Sequence, residues 1–525
     1  MTNMGDRMIG SKMTVSLMAI AALVSLSSCQ TPDTTSTLVS PRAGSTETVD
    51  LSHPNIVIIL ADDMGWRDVG YHGSEIKTPN IDALAAKGVI LDRYYAQPSC
   101  SPTRSALMTG RSPMRLGVVQ PLSKLAPTGL PLSEKLLPQY LKEANYQTFL
   151  TGKWHLGGRQ RAYLPNERGF DQFYGSVNGG IGYWDHVHGG GLDWQRNGKT
   201  LREEGYSTDL ITTEAIKLVR SRNKSRPLML YAAFGAPHLP NEAPDAAIAQ
   251  YADIKNPHRR VHAAMVTELD TAIGRLVETL KSEGMLDNTI IWFMSDNGGL
   301  IASPPPSFTA LGQQIAKMEA AAGTKLTPRF MEFLRVNNTE GGSNNLPLKG
   351  AKATVFEGGA RVPSFVYWQG KLSPKTSTQM ITAQDVLPTL MQGAGLKVPP
   401  RLDGRSLWPA LSKSKALPVS DYVIQASKGL GQDEAYYRYP WKLVRIDGAA
   451  EALYNVELDP SEKTDLAQSH PELVKTLSAA LTAFPRGPSV QVSMKEAILD
   501  PDFFGGKEDR APWADTVQGP PPSED

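Results

Sequence analysis

The sequence predicts an α/β fold with a large mixed, mostly parallel sheet that is sandwiched by helices. Three continuous apolar runs, at residues 55–60, 227–234 and 289–294, show no polar alternation, which is typical of strands buried on both faces. Over 259–283, apolar side chains recur every three or four residues, so this segment is predicted to be an amphipathic helix that covers one sheet face. Strands that alternate with helices in this way indicate the α/β class.

Weaker patterns divide the rest of the chain. Helical periodicity is also present at 133–144 and 208–220, and a Pro-rich, then polar stretch at about 300–345 is predicted to be an insertion close to the functional site. Beyond residue 420, short apolar runs are followed by a helical pattern near 471–484, which indicates a smaller antiparallel α+β unit. The predicted division is a main domain at 53–419, a C-terminal α+β subdomain at 420–485 and an extended tail at 486–525.

Composition excludes some partners. The chain has 525 residues, of which 41% are hydrophobic, and a formal net charge of +1. This length suffices for one large core and a second, smaller one. Because the net charge is close to zero, there is no bulk attraction to nucleic acid or to an acidic membrane. Nucleic acid is therefore not expected as a partner, and an anion must be bound at a local site.

Residues 1–29 have the pattern of an export signal. The apolar run 13–26 follows two basic residues and is too short to span a bilayer comfortably. It ends in Leu-Ser-Ser-Cys, which resembles a bacterial lipobox in which Cys29 is lipidated; the alternative is an ordinary signal peptide cleaved nearby. Residues 30–52 are polar and suit a flexible tether, and Gln30 favours sorting to the outer membrane. We expect an exported protein, held to the membrane by lipid alone, at the outer membrane or in the periplasm of a Gram-negative bacterium.

The two cysteines have different expected fates. They are Cys29 and Cys100. If Cys29 carries lipid, Cys100 has no intrachain disulfide partner in an oxidising compartment. A single thiol in an exported protein is a liability, so Cys100 is either buried and inert or chemically converted.

Oxygen-bearing side chains follow two of the predicted strands. Asp62 and Asp63 come after the first strand, and Asp296 and Asn297 come after the strand at 289–294. In open α/β sheets, ligands bind beyond the carboxyl ends of the strands. Four oxygen donors suit calcium or magnesium rather than zinc. Acidic turns that only cap helices would give the same pattern without a metal ion.

The segment from Cys100 to Arg111 reads Cys-Ser-Pro-Thr-Arg-Ser-Ala-Leu-Met-Thr-Gly-Arg. It resembles the C-x-P-x-R and T-G-R signature of the sulfatase family, within the alkaline phosphatase superfamily. Further motifs of that family are matched in the same order by Asp62-Asp63, Gly152–Gly157, His238, Asp296–Gly299 and Lys352–Gly359. The resemblance runs from about Pro54 to Phe484, is closest to arylsulfatase B-like sulfatases, and implies an alkaline phosphatase-like fold.

The resemblance implies a sulfuric ester hydrolase. In this family a maturation enzyme converts the signature cysteine, here Cys100, into formylglycine, whose hydrate carries two hydroxyl groups. One calcium ion, with magnesium less favoured, would be held by Asp62, Asp63, Asp296, Asn297 and residue 100. One hydroxyl, made more acidic by the cation, would attack sulfur and expel the alcohol. Loss of the proton from the second hydroxyl would then release sulfate and restore the aldehyde.

Three basic residues have expected roles in this reaction. Lys153 and Lys352 would bind the sulfate oxygens together with the cation. Arg104 would orient residue 100, because it lies one helical turn further on and has a rigid donor fork. Lys349 is a rival for Lys352, which is preferred because its spacing to the following Glu-Gly-Gly fits the family motif.

Two histidines have expected roles in proton transfer. His155 would be the base that deprotonates the second hydroxyl, and His238, with help from Lys352, the acid that protonates the leaving oxygen. Each of these residues, taken singly, could instead be a structural residue.

The substrate is predicted only as a class. Aromatic and polar residues at 183–188, together with Trp194 and the insertion at about 300–345, are candidate sugar-binding elements. Core packing is the alternative for any single aromatic and is preferred for Trp292 and Trp408. The resemblance implies a sulfated glycan with galactose or N-acetylgalactosamine units, or an aryl sulfate.

Two other classes of function stay open. A phosphate or phosphonate ester hydrolase of the same superfamily would share the sheet, but phosphatases typically use two zinc ions with several histidine ligands, and the ligands predicted here include no histidine. A non-catalytic glycan-binding surface lipoprotein would keep Cys100 as an unmodified thiol.

Overall fold

A computed structural model describes residues 53–189, 191–302, 312, 315–320, 323, 325–326, 328–418, 420–428 and 431–490. The following parts lie outside these ranges: the predicted signal peptide, the lipidation site Cys29, the tether at 30–52, part of the insertion, and the tail beyond residue 490. Among the described residues, no helix combines the length and the apolar character needed to cross a membrane.

The strands are β1 (Asn55–Ala61), β2 (Val89–Leu91), β3 (Tyr94–Tyr95), β4 (Gln147–Gly152), β5 (Gln172–Gly175), β6 (Val187–His188), β7 (Gly191–Leu192), β8 (Gln195–Arg196), β9 (Lys199–Thr200), β10 (Leu228–Ala233), β11 (Thr289–Ser295), β12 (Ser364–Tyr367), β13 (Lys375–Ser377), β14 (Ile381–Thr382), β15 (Tyr422–Lys428), β16 (Gly431–Arg438), β17 (Trp441–Arg445) and β18 (Ala452–Asn455).

The helices are α1 (Pro79–Lys87), α2 (Cys100–Thr109), α3 (Pro113–Leu116), α4 (Leu137–Glu143), α5 (Ser207–Ser221), α6 (Asp245–Ala249), α7 (Pro257–Ser282), α8 (Pro328–Thr339), α9 (Glu357–Ala360), α10 (Val386–Gly393), α11 (Trp408–Lys413) and α12 (Pro471–Ala483).

The main sheet is mixed, with a parallel centre. Its strand order is β13-β2-β12-β11-β1-β10-β4-β5-β8-β9. Strands β11, β1, β10, β4 and β5 pair in parallel, whereas β12, β8 and β9 are antiparallel to their neighbours. The predicted large, mostly parallel sheet is confirmed, and β1 lies near its middle.

Strand β1 shows why the apolar runs form this sheet. Ile56, Ile58 and Leu60 belong to one buried apolar cluster, and the alternate residues Val57 and Ile59 belong to another. Successive side chains of a strand point to opposite faces, so an uninterrupted apolar run can fill both cores. The predicted helix at 259–283 is α7, which packs in the second of these clusters.

The C-terminal residues form a second, antiparallel sheet, as predicted. Its order is β15-β16-β17-β18, and α12 packs on it through Leu477 and Leu481. Strand β16 was not anticipated, because its sequence, Gly-Gln-Asp-Glu-Ala-Tyr-Tyr-Arg, begins with polar residues and has no clear apolar run.

Two sequence predictions differ from the structure. The helix expected at 133–144 is limited to α4, Leu137–Glu143, with Pro138 in its first turn; proline is tolerated there but has no N–H to continue a helix upstream. Trp194, a candidate sugar-binding residue, is completely buried and its indole N–H donates to Glu203 at 3.0 Å. Trp194 is therefore a core residue, as is Trp292, for which burial was expected.

Candidate active site

The carboxyl ends of four neighbouring strands bring the predicted site residues together. In the parallel registry, Ala61 of β1 lies beside Ser295 of β11, and Ala233 of β10 lies beside Gly152 of β4. The residues that follow these strand ends are Asp62 and Asp63, Asp296 and Asn297, Gly235 to His238, and Lys153. Strand pairing therefore unites side chains that are more than two hundred residues apart.

Tight backbone turns aim these side chains. Gly152 has φ of +103°, and a Cβ there would lie 1.9 Å from the carbonyl oxygen of Ala233, so only glycine fits immediately before Lys153. Asp63 and His155 have φ of +66° and +59°. Left-handed conformations are costly for residues with a Cβ and cluster at functional sites.

Cys100 is the first residue of α2 and is buried at the centre of the cluster. Its thiol donates to Asp62 Oδ1 at 3.4 Å. Burial and the neighbouring Asp62 raise the pKa of this thiol well above its ordinary range. Both effects favour the protonated thiol over the thiolate, which is the nucleophilic form of cysteine.

Arg104 fixes the positions of two groups that line the site. Its Nε and Nη2 both donate to Asp296 Oδ2, at 3.0 and 2.8 Å, and its Nη1 donates to the carbonyl oxygen of Lys153 at 2.8 Å. The sequence predicts that Arg104 orients residue 100; in the structure its guanidinium fixes a predicted metal ligand, Asp296, and the backbone of a predicted sulfate ligand, Lys153. It thus acts on the groups around residue 100.

Each lysine of the site is paired with one aspartate. Lys153 Nζ lies 2.5 Å from Asp62 Oδ2, and Lys352 Nζ lies 2.7 Å from Asp63 Oδ2. Lys349, the rival for Lys352, points elsewhere: its Nζ lies 4.2 Å from the centre of the Phe356 ring. The structure thus brings Lys352, and not Lys349, to the cluster.

The residues present fit a hard divalent cation. The buried Asn297 Oδ1 has no hydrogen-bond partner among the described residues, although its Nδ2 donates to Asp63 Oδ1 at 2.7 Å. Ligand atoms of Asp62, Asp63, Cys100 and His238 all lie within 4.8 Å of one another. An unpaired amide oxygen beside carboxylates is a donor set that suits calcium or magnesium.

The charged side chains of the site balance one another before any cation binds. Burial and the charge of Asp62 raise the pKa of Asp296 to about 7. Burial alone would raise the pKa of Asp62 as well, but the charges of Lys153, His238, Arg104 and Lys352 together outweigh burial and hold that pKa well below its usual range. Three carboxylates are thus matched by the cations Arg104, Lys153 and Lys352, so that an added divalent ion would leave an excess of positive charge for an anionic substrate.

The two histidines are held as defined tautomers. His238 Nδ1 lies 2.5 Å from the carbonyl oxygen of Leu239, so this nitrogen is the donor and Nε2 faces Asp63 Oδ2 at 3.6 Å. His155 Nε2 donates to the carbonyl oxygen of Leu122 at 3.0 Å, and its buried Nδ1 has no partner among the described residues. Each ring therefore keeps one nitrogen free for proton transfer.

Burial affects the protonation of both rings. It lowers the pKa of His155, and the charge of Lys153 lowers it further. Burial likewise lowers the pKa of His238, with Lys352 as the next cause. A neutral His155 suits its predicted role as base, whereas His238 must gain a proton before it can act as an acid.

The sequence did not reveal a buried ionic cluster behind Lys352. Lys442 of β17 lies 3.2 Å from Glu357 Oε1 and 2.8 Å from Glu462 Oε1, and all three side chains are buried. Glu357 also accepts from the hydroxyls of Tyr95 and Tyr437, at 2.8 and 3.0 Å. Lys442, which comes directly before the apolar pair Leu443 and Val444 of β17, was the available signal, since a buried lysine requires a partner.

The fold and this site are those of an ester hydrolase of the α/β class, and the comparisons with known proteins specify the family. The family model described as Sulfatase matches residues 54–396. The chain is 32% identical over 526 residues to arylsulfatase J of Mus musculus, with 89% of this chain and 81% of that protein covered. It is 32% identical over 414 residues to N-acetylgalactosamine-6-sulfatase of Homo sapiens, with 73% of this chain and 71% of that protein covered.

A solved structure agrees with these relatives. Ps i-CgsB in complex with k-i-k-neocarrahexaose superposes with a TM-score of 0.72 at 33% identity, covering 84% of this chain and 94% of that one. The chain belongs to the sulfatase family, and it is a sulfuric ester hydrolase. The resemblance noted in the sequence is thereby confirmed.

Proposed function

We propose that this protein removes sulfate from a sulfated carbohydrate of the galactose or N-acetylgalactosamine type, with residue 100 acting as formylglycine beside one calcium ion. The observation that carries the proposal is the placement of Cys100, at the start of a buried helix with its side chain on Asp62. Burial and the carboxylate of Asp62 both disfavour a thiolate at this position. The same position is well suited to a hydrated aldehyde that needs an adjacent cation and base.

Calcium, held by Asp62, Asp63, Asp296, Asn297 and residue 100, would supply Lewis-acid chemistry that makes a hydroxyl of the hydrate nucleophilic. Magnesium is the second choice for the same oxygen ligands.

The basic side chains bind and orient the sulfate. Lys153 is paired with Asp62, and Lys352 is paired with Asp63. If a cation binds these carboxylates, the two ammonium groups are free to bind the sulfate oxygens. Arg104 keeps its hydrogen bond to Asp296 and so holds that carboxylate in place. Positive groups that are placed before the reaction begins stabilise the developing charge without reorganisation.

The two histidines move protons at opposite ends of the reaction. His155 accepts at its free Nδ1, which supports its role as the base for the second hydroxyl. His238 presents Nε2 towards Asp63 and, once protonated, donates from that atom to the leaving oxygen. Without this proton, a sugar alkoxide would be expelled as a high-energy anion.

The substrate class is supported by the names of relatives. Those named N-acetylgalactosamine-6-sulfatase, including the human protein, are 32–34% identical to this chain. Ps i-CgsB was solved with a neocarrahexaose bound. We therefore propose a sulfated glycan as the natural substrate, with aryl sulfates as simpler analogues.

We also propose that the chain is exported and lipid-anchored, and that a formylglycine-generating enzyme acts on it. Support comes from the residues of the export signal, from the lipobox-like Cys29, and from the position of Cys100. A glycan-degrading enzyme on a cell surface would meet polymers that cannot enter the cell.

Turnover of matched esters tests this function. We expect the matured full-length protein to hydrolyse 4-nitrophenyl sulfate and N-acetylgalactosamine 6-sulfate, and to release phosphate from 4-nitrophenyl phosphate far more slowly. Cys100→Ala should abolish sulfate release while the protein stays folded. Faster phosphate release would favour a phosphatase, and glycan binding without turnover would favour a non-catalytic lipoprotein.

A further inference from the structure

We propose that Trp184 is a stacking platform for an uncharged sugar ring on the leaving-group side of the substrate, an inference that rests on the proposed function. It makes Trp184 a residue that selects oligosaccharides over small sulfate esters.

The exposure of Trp184 is unusual for this chain. Its side chain is 49% exposed, whereas Trp66, Trp154, Trp292 and Trp368 are buried. The indole packs at an angle against Tyr206, with ring centres 5.1 Å apart and planes tilted by 49°. A tryptophan that contacts a second aromatic ring and has about half of its surface exposed is a preformed apolar surface, which costs little conformational entropy when a ligand binds.

The loop that carries Trp184 is fastened next to His238. The hydroxyl of the preceding residue, Tyr183, lies 2.9 Å from the carbonyl oxygens of both Gly235 and His238. A Cβ at Gly180 would lie 2.5 Å from the His238 ring, so the loop backbone approaches the imidazole closely. Trp184 therefore directly follows a residue whose side chain is hydrogen-bonded to the backbone of His238, the proposed acid.

The reaction sets which part of the substrate lies there. A proton donor must come within hydrogen-bond distance of the oxygen that leaves sulfur, so the alcohol half of the ester lies at His238. The sugar attached to that oxygen, or the ring linked to it, then extends along the loop at 178–188. Trp184 is the large exposed hydrophobic residue of this loop, and a sugar ring has apolar C–H faces that pack on an aromatic surface.

Local charge indicates that this ring is uncharged. Asp185 follows Trp184, is exposed, and accepts from the backbone N–H of Val187 at 3.0 Å. A carboxylate there accepts hydrogen bonds from sugar hydroxyls but repels a second sulfate group. The platform therefore suits a hydroxyl-bearing ring next to the sulfated one.

Trp184→Ala tests this role through a ratio of two activities. The ratio compares kcat/KM for a sulfated neocarra-oligosaccharide with kcat/KM for 4-nitrophenyl sulfate, which has no second ring. We expect Trp184→Ala to lower this ratio about tenfold relative to wild type, equivalent to about 1.4 kcal/mol, mainly through a higher KM for the oligosaccharide. Trp184→Phe, which keeps an aromatic face, should restore part of it.

Leu132→Ala is the matched control, because Leu132 is 51% exposed and lies outside the loop. The inference is overturned if Trp184→Ala leaves the ratio within about twofold of wild type, because a tenfold effect is expected for one lost platform. It is also overturned if Leu132→Ala lowers the ratio as much as Trp184→Ala does. The proposed function fails in a different way, when wild type hydrolyses none of these sulfate esters.

Discussion

Lys442 of the C-terminal sheet lies 3.2 Å from Glu357, and both side chains are completely buried. Glu357 begins the short helix α9, five residues after Lys352, and its backbone N–H donates to Glu462 at 2.7 Å. Lys352 in turn contacts Asp63 in the candidate active site. The C-terminal sheet thus supports the segment that carries a predicted sulfate ligand, and it is part of the structure on which the site depends.

Lys442→Met should destabilise the protein and slow the reaction. The methionine fills a similar volume but leaves two buried carboxylates without their cation, and breaking a buried ion pair in this way typically costs about 3–5 kcal/mol. We expect that loss in the free energy of unfolding, measured by denaturant titration, and a lower kcat at temperatures where the variant is still folded. Because Lys352 would be less well placed, kcat should fall more than KM rises.

Lys371→Met removes a lysine from an exposed position and serves as the control for that variant. It should change the free energy of unfolding by no more than about 0.5 kcal/mol, as is usual for surface substitutions. Equal free energies of unfolding for the two variants would show that the Lys442 cluster contributes little to stability.

Asn297→Leu should weaken calcium binding. The unpaired, buried Oδ1 of Asn297 is a ready oxygen ligand, and its replacement by an apolar group removes one donor from the site. We expect calcium to raise the Tm of the metal-free wild type, and the calcium concentration for half of that rise to increase at least about tenfold in the variant. Asp253→Ala, at an exposed position, should keep the wild-type response; an unchanged response in Asn297→Leu would exclude Asn297 as a ligand.

The role of His238 predicts a specific pH dependence. Burial and the charge of Lys352 lower the pKa of His238 below its ordinary value, and the acid form is the protonated one. For a sugar sulfate, kcat/KM should therefore fall as pH rises through a pKa below about 6.5.

His238→Ala should abolish this limb of the pH profile. It should slow the sugar sulfate by about 10²–10⁴-fold, the usual range for a lost general acid. Hydrolysis of 4-nitrophenyl sulfate should slow less, because nitrophenolate leaves without a proton. Equal losses on both substrates would contradict the assignment of His238 as the acid.

The sequence predicted the parts of the site that local patterns encode. The runs that became β1 and β11 end directly at Asp62 and Asp296, and the sheet rule for strand ends then placed these residues together. The Cys100 segment and its order relative to the other motifs indicated the family. These signals are short and contiguous, so a single sequence carries them.

Other features depend on contacts that no local pattern encodes. Glu357 and Glu462 meet Lys442 across separations of 85 and 20 residues, in segments that become neighbours only after the second sheet has formed. Strands such as β8 and β9 have two residues each, too few for any periodicity to show. The burial of Trp194 was missed for a similar reason, because the sequence alone does not distinguish an aromatic residue in a core from one at a sugar-binding surface.

The mass of the peptide that contains residue 100 tests the central claim most directly. The protein is purified from a host that converts such cysteines, and it is first shown to hydrolyse sulfate esters. Its residue-100 peptide should be about 18 Da lighter than the cysteine form, as expected for formylglycine. Activity should rise in proportion to the converted fraction across preparations. Active protein with an unmodified Cys100 thiol would contradict the account.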